Sequence, residues 1–573
     1  MSLIKFYGNG IEKSINVEEN STISEAMKAA DISFEFPCSG MGFCGKCVVI
    51  ATGALSEPDE DEKKFINIDE NQRLACCARI IGDVSVTFTE GEKSIKTINS
   101  GMSLEVTLDS NIRVENLGSI IKGSSRPFAE IIDYSIKKPG VYAKLSTLEE
   151  GDVYGVLYED EVIDVSIKKP NILGAAVDIG TTGISAYLLN LETGVIIKKL
   201  SSLNPQTKFG GDVVSRITCC QEADGEKKLK NLIVDEINRL IEKLTGETYS
   251  VHEVYNVVVA GNTTMTHLLL GINPSSMAMA PYRPVLLESC IFNGSEIGIN
   301  INPEGRVTIL PGASAYVGAD IIAGIAAIGF NNRSHKSIFI DIGTNGEIAA
   351  ISNGKMICTS TAAGPALEGM NISCGCRAEK GAIESFYIDE DYIVIYSTVE
   401  GDEPVGICGS GLLDIVGSLL KRNIITSTGS FNKNMDVRIK ERFVDKKFYI
   451  TDKIFVSQKD IRQIQLAKGA IAAGIIMLLE KMDVSISEVE EIVIAGAFGY
   501  HINPESILEM GLIPKGFKGE ITFAGNTSIE GARLAVINKN MLVLMDKIKD
   551  EMEILELSTD EGFQNYFIRE LNF

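Results

Sequence analysis

Hydrophobic and polar positions alternate through the opening MSLIKFYGNGIEKSINV, with Asn9-Gly10 at its centre, and this predicts a β-hairpin. EAMKAADISFEFP then reads as a short helix, Ser24 to Ala30, followed by a loop that Pro37 closes. VVIATGAL, directly after Cys47, is β-branched and strand-like. SIKTINSGMSLEVTLDS (94–110) reads as strand with polar breaks, and GDVYGVLYEDEVIDVSIKKP (151–170) as a second hairpin. LKNLIVDEINRLIEKL (229–244) places Leu232, Ile233, Ile237, Leu240, Ile241 and Leu244 on one helical face. GAIAAGIIMLL (469–479) is apolar all round but too short for a bilayer span, which predicts a buried helix.

From residue 171 the pattern repeats. LGAAVDIGTTGISAYLLNLETG (173–194) matches KSIFIDIGTNGEIAAISNGK (336–355): an apolar strand, Asp-Ile-Gly-Thr, a turn, a second strand. VYNVVVAGNTTMTHLLLG (254–271) echoes VEEIVIAGAFGYHINPES (489–506), each a strand running through a glycine turn into a helix. Two α/β halves on one plan are expected. In the repeated turn, Gly180 and Gly343 permit a tight hairpin whose N–H groups approach an anion with no Cβ in the way. Thr181, Thr182 and Thr344 add hydroxyls, Asn345 an amide, and Gly346 closes the second turn. Asp178 and Asp341 put carboxylates where the waters of a Mg²⁺ would sit. Two such hairpins facing one another would clamp a triphosphate from both sides.

Charge narrows the function classes. The 573 residues carry a net charge of −23, which argues against nucleic acid and against an anionic membrane surface. The composition, 45% hydrophobic and 23% charged, is that of a globular chain of roughly three to four domains. No signal peptide is visible, so a cytoplasmic protein is expected. Twelve cysteines then read as ligands or reduced thiols, and four histidines leave little for a histidine-rich centre.

PCSGMGFCGKC (37–47) spells a dinucleotide G-x-G-x-x-G, a phosphate loop ending at Cys47 instead of Ser or Thr, and a metal loop. A phosphate loop follows a buried strand and opens a helix; here a loop precedes and a strand follows. Cys38-x5-Cys44-x2-Cys47, with distant Cys76 in RLACCARI, supplies the four thiolates of a [2Fe–2S] cluster. Residues 1–90 resemble the adrenodoxin and putidaredoxin type of ferredoxin, whose pattern is C-x5-C-x2-C with a final RLAC or RLGC. The resemblance implies a β-grasp fold and selects Cys76 over its neighbour Cys77. The acidic run EPDEDEKK (57–64) reads as a solvated face.

Residues 171–573 resemble the superfamily of acetate and sugar kinases, heat-shock chaperone ATPases and actin. The resemblance implies a two-lobed ATPase fold, with lobes at about 171–335 and 336–573, and makes the two hairpins its phosphate motifs. Gly496, Ala497, Phe498 and Gly499 of IAGAFG become its adenosine motif. YVGADIIAGIAAIG (316–329) becomes a connecting helix, and Asp320 the candidate that positions the attacking water. Gly409 and Ser410 of CGSG are expected near the nucleotide. Residues 91–170 carry no nameable chemistry and read as a linker with a small middle domain.

Together the two modules resemble the reductive activators of corrinoid-dependent methyltransferases. NPQTKFGGDVVSRI (204–217), AGNTTMTHLLLGINP (260–274), TAAGPALEGMNI (361–372) and GICGSGLLD (406–414) are similar to stretches of that family. The resemblance implies ATP-dependent reduction of a corrinoid protein from Co(II) to Co(I). It also implies a low-potential donor such as a ferredoxin or flavodoxin, and a homodimer. The loop around Ser360 and Glu368 is a candidate for facing the corrin. Cys358, Cys374, Cys376 and Cys408 read as reduced thiols, with a second metal site as the sharper alternative. The rival functions are an activator of another low-potential enzyme and a small-molecule kinase regulated by its cluster.

Overall fold

The computed structural model describes residues 2–8, 11–30, 32, 47–59, 62–88, 101–132, 134, 136–222, 224–376, 378, 380–496, 502–560 and 562–573. Cys38, Cys44, Ala497, Phe498 and Gly499 lie outside them.

The N-terminal part is a five-stranded sheet in the order β2-β1-β5-β3-β4, carrying one helix. The opening hairpin forms as expected from β1 (Ser2–Gly8) and β2 (Ile11–Val17). Helix α1 (Ile23–Ala29) starts one residue earlier than the pattern suggests, and VVIATGAL is β3 (Val48–Leu55). β4 (Gln72–Leu74) and β5 (Ile80–Thr87) complete the sheet, β5 lying parallel to β1. Ile4, Phe6, Ile23, Met27, Leu74 and Val86 form its own core.

Residues 101–109 were expected to contribute a strand, yet no strand runs here. Their hydrogen bonds go instead to the ATPase lobes: the Met102 N–H to Ala524 O at 2.6 Å, Leu104 N–H to Ala327 O at 2.6 Å and Asp109 N–H to Ile537 O at 2.9 Å. The segment is a strap. Gly101 is obligatory at its start, because a Cβ there would lie 2.4 Å from Asn526 O. A small sheet of β6 (Ile112–Ile120), β7 (Gly151–Tyr158) and β8 (Glu161–Ser166) follows, with α2 (Pro139–Leu145) against it. β7 and β8 are the second predicted hairpin.

The two ATPase lobes share a strand plan. In the first, β9 (Leu173–Ile179), β10 (Gly183–Asn190) and β11 (Ile196–Leu203) form an antiparallel meander, and β12 (Val254–Gly261) and β14 (Arg306–Ile309) add in parallel beside β9. β13 (Cys290–Asn293) forms the edge. In the second, β15 (Ser337–Ile342), β16 (Gly346–Ser352) and β17 (Lys355–Thr361) form the meander, with β24 (Glu491–Gly496) and β25 (Glu520–Gly525) parallel beside β15. The register matches: Asp178 pairs with Ala260 and Asp341 with Ala495.

Alternation along these buried strands supplies two cores at once. Leu173, Ala175, Val177 and Ile179 face outward onto α4 (Gly225–Thr245) and α5 (Thr263–Leu270). In α4, Val234 is buried and Leu232 only half-buried, a small rotation from the predicted face. Ile338, Ile340 and Ile342 face outward onto α8 (Gly409–Lys421), α9 (Gln458–Lys481) and α10 (Pro504–Glu509). The inner residues Ala176, Tyr187, Phe339 and Val493 meet α7 (Ala319–Ala327), α11 (Thr527–Ile537) and α12 (Asn540–Glu551) in one core between the sheets. Helix α11 leaves a strand of the second lobe and packs on the first. By length and composition α9 alone among the described helices could cross a membrane, but 78% of its apolar window is buried within the lobe.

The remaining pieces are small: α3 (Val213–Cys219), a one-turn α6 (Gly294–Ile297), β18 (Ala382–Ile388), β19 (Val394–Thr398), β20 (Gly406–Ile407), a sheet of β21 (Phe443–Val444), β22 (Lys447–Tyr449) and β23 (Phe455–Ser457), then β26 (Glu553–Ile554) and α13 (Phe563–Arg569).

Candidate functional site

Both Asp-Ile-Gly-Thr turns lie where the plan predicts, at the β9–β10 and β15–β16 connections. Each strand end delivers a carboxylate to the space between the lobes. Asp178 Oδ2 accepts from Asn526 Nδ2 at 2.9 Å and its Oδ1 from Ser528 Oγ at 2.8 Å. Asn526 caps α11 and Asn262 caps α5, and each sits in an Ala-Gly-Asn-Thr corner after a parallel strand. Asn262 Nδ2 donates to Thr181 Oγ1 at 3.1 Å. The two corners, one from each lobe, therefore both grip the first hairpin.

At the second hairpin, Thr344 Oγ1 donates to Glu368 Oε2 at 3.0 Å, and Gly343 N–H bonds Asn345 O at 2.9 Å. Glu347 follows Gly346 and pairs across the strands with Asp341. It is buried, and Ser360 Oγ donates to its Oε1 at 3.1 Å. Ser360 and Glu368 are thus tied to the second hairpin. Gly496 has φ +112°, and a Cβ there would lie 2.4 Å from Ile342 O and 3.0 Å from Asp341 Oδ1. Only glycine lets the second corner come this close.

The carboxylates of the cleft raise one another's hold on protons. Asp178, Asp320 and Asp341 keep part of their surface open to the cleft but are set deep in protein, and none of them, nor Glu347, makes an ion pair among the described residues. Burial, then the Asp178 charge, pushes Asp320 up to about 7. Burial, then Asp320, Asp178 and Glu368, pushes Asp341 up to about 8. Burial with Asp320 and Asp341 holds Glu347 well above the usual carboxylate range, and burial raises Asp178. Converging carboxylates with no lysine or arginine partner are an oxygen-rich donor set suited to hydrated Mg²⁺. Asp320, in the first turn of α7, belongs to this group.

Gly409 and Ser410 open α8, where Ser410 Oγ lies 3.3 Å from Cys408 Sγ. No hydrogen bond among the described residues joins them to the hairpins.

In the N-terminal part, Cys47 stands just before β3 and Cys76 just after β4. The Ala75 N–H bonds Cys47 O at 2.9 Å, and the sulfurs of Cys47 and Cys76 lie 3.2 Å apart. They are 1% and 7% exposed. Two buried thiols brought together from 29 residues apart fit a cluster that takes two per iron. Cys77 Sγ lies 3.7 Å from Cys76 Sγ. The acidic run is not wholly a solvated face: Glu62 is 2% exposed and accepts from Arg73 Nε at 2.9 Å and from Leu74 N–H at 2.8 Å. That pair anchors the Arg-Leu-Ala-Cys segment. Among the described residues no three His, Cys, Asp or Glu side chains gather closely enough to ligate a metal ion directly, either in the carboxylate cleft or around Cys358, Cys374, Cys376 and Cys408.

Glu347, Asn262, Asn526 and Ser528 were not foreseen. The repetition of Ala-Gly-Asn-Thr at 260–263 and 524–527 was the available signal.

Three family models match in series. They are a 2Fe-2S iron-sulfur cluster binding domain over residues 6–80, the RACo middle region over 173–333, and the C-terminal domain of RACo, the ASKHA domain, over 335–573. The chain is 29% identical over 602 residues to the corrinoid activation enzyme RamQ of Eubacterium limosum, covering 98% of each. It is 26% identical over 432 residues to the Co(II) methylated amine-specific corrinoid protein reductase of Methanosarcina barkeri, covering 70% of this chain and 77% of that one. The solved structure of a reductive activator for corrinoid,iron-sulfur protein matches with a TM-score of 0.76 at 29% identity, over 100% of this chain and 98% of that chain. The three models follow one another along the chain in the order of its ferredoxin-like part and its two lobes, and the chain belongs to the RACo family of reductive activators.

Proposed function

We propose that this chain couples ATP hydrolysis to the one-electron reduction of a corrinoid protein, from Co(II) to Co(I). The observation that carries the reading is the cleft of Asp178, Asp320, Asp341 and Glu347, which makes no ion pair among the described residues, on one chain with the Cys47–Cys76 thiol pair.

A [2Fe–2S] cluster held by Cys38, Cys44, Cys47 and Cys76 would supply electrons singly at low potential, near −400 mV for the plant type. Asp178 and Asp341 would hold the waters of Mg²⁺. Around the triphosphate, Thr181, Thr182, Thr344 and Asn345 donate hydrogen bonds, with Gly180, Gly343 and Gly346 shaping the turns. Asp320 positions the attacking water, and Glu347 accepts its proton. Gly496, Ala497, Phe498 and Gly499 receive the adenosine, with Gly409 and Ser410 on the same lobe.

A shortfall of 100 mV costs about 2.3 kcal/mol per electron. Nucleotide offsets it only by binding one conformation, or one complex with the corrinoid partner, better than another. The core shared by α7, α11 and both sheets carries closure of the lobes, and the strap ties the ferredoxin part to those same helices. We take the parts as residues 1–90, 91–170 and 171–573, the protein as a cytoplasmic homodimer, and its donor as a ferredoxin or flavodoxin.

The test is anaerobic incubation with a Co(II) corrinoid protein, a reductant and ATP, following the Co(I) absorbance band. Its equal appearance without ATP would remove the coupling. Phosphorylation of a small substrate instead would favour the kinase alternative.

A further inference from the structure

Two side chains hold the first hairpin from behind, Asn204 and Arg216, and Gln206 bonds both of them. Each is 0% exposed. Asn204 Nδ2 donates to Gly180 O at 2.9 Å and its backbone N–H to Thr182 O at 2.9 Å. Arg216 Nη2 donates to Thr181 O between them. Three successive carbonyls are therefore taken by one scaffold. A trans peptide sets its N–H opposite its C=O, so the amides of residues 181–183 are turned away from that scaffold. Successive amides turned to one side make an anion-binding concavity.

Arg216 is the unusual member. Its Nε donates to Gly210 O at 3.0 Å, and its Nη1 to Gln206 Oε1 at 3.1 Å and towards Met265 Sδ at 3.0 Å. Every acceptor is neutral, and among the described residues it makes no ion pair. Gln206 is fixed in turn through Leu229 O at 2.9 Å. Burial lowers the guanidinium to about 10, which still leaves it charged at neutral pH. A fully buried cation with only neutral acceptors is costly to keep, and the peptide it holds, at Thr181, belongs to the hairpin itself.

We propose that Arg216, set by Asn204 and Gln206, is a positioning residue for the nucleotide phosphates. It fixes the Thr181 peptide so that the hairpin amides face the cleft. Its charge favours a polyanion in a space otherwise lined by carboxylates. The inference rests on the reading that this hairpin holds the phosphates.

The test measures ATP and ADP affinity of the full chain, with its iron content as a control on integrity. Arg216→Gln is expected to weaken both nucleotides at least tenfold, and Arg216→Lys to retain more affinity than Gln. Millimolar guanidinium, but not urea, should restore binding to Arg216→Ala. The proposal is overturned if Arg216→Gln binds like the parent, if urea rescues as well as guanidinium, or if Lys is no better than Gln. Should Arg216→Ala not fold, the Gln and Lys pair decides. If Asp341→Ala also binds ATP normally, the cleft itself is not the nucleotide site, which is a different failure.

Discussion

Glu347 stands opposite Asp341, at the place where the first lobe carries Ser185 opposite Asp178. The lobes thus differ at one matched position, and that difference puts a buried acid beside Asp341 in the second hairpin. Glu347→Gln keeps the shape and removes the base. It should lower phosphate release about a hundredfold, within the span of general base catalysis, with nucleotide affinity changed much less. Nothing in the sequence set Glu347 apart, because a polar residue after a hairpin glycine also reads as ordinary strand alternation. The hairpin aspartates were legible because the same tetrapeptide occurs twice. A second buried acid, Asp414, accepts from Asn503 N–H at 3.1 Å and is pushed by burial from 3.8 up to about 7. A carboxyl raised in the folded state binds more protons there than in the unfolded chain. Its contribution to stability is full below about pH 4 and is lost as pH rises through about 7. Asp414→Asn should therefore gain in Tm relative to the parent between about pH 5 and pH 8; a constant difference would refute this.

At the scale of elements, the Ala-Gly-Asn-Thr corners show how local capping serves a distant site. Each asparagine satisfies an amide at its own helix start through its side-chain oxygen, and this leaves its amino group for the first hairpin. Asn526→Ala should cost about 1 kcal/mol as a lost cap. It should also loosen ATP binding, because Asp178 loses a donor from the other lobe. Loss of Tm with unchanged nucleotide affinity would confine Asn526 to capping. Strands and helices were legible where one period ran long enough, as in β9, β15 and α4. The strap was not. Its alternating residues read as strand, but its N–H groups find carbonyls on Ala524, Ala327 and Ile537 instead of on a neighbouring strand, a choice made by tertiary packing.

At the scale of the molecule, the thiol pair and the carboxylate cleft sit in separate cores, so each is open to separate damage. Cys47→Ser should remove the iron and the reducing activity while leaving ATP affinity near that of the parent. Asp341→Ala should do the reverse, retaining iron but losing ATP turnover. Full cobalt reduction by the iron-free variant would show that electrons take another route. The order of the parts was legible from two motif sets, while the packing of the strap and α11 across the two lobes was not. No local pattern states that a helix following a strand of one lobe will bury itself against the other.

That crossing has a consequence for taking the chain apart. Ala176 and Val258 on one sheet, and Phe339 and Val493 on the other, are covered by the same helices, and α11 comes from the C-terminal side of any cut near residue 335. Fragments 1–335 and 336–573 would each bare an apolar flank that belongs to the other. Produced singly they should be insoluble; produced together they should reassemble as a split-protein pair, with ATP tightening the reunion.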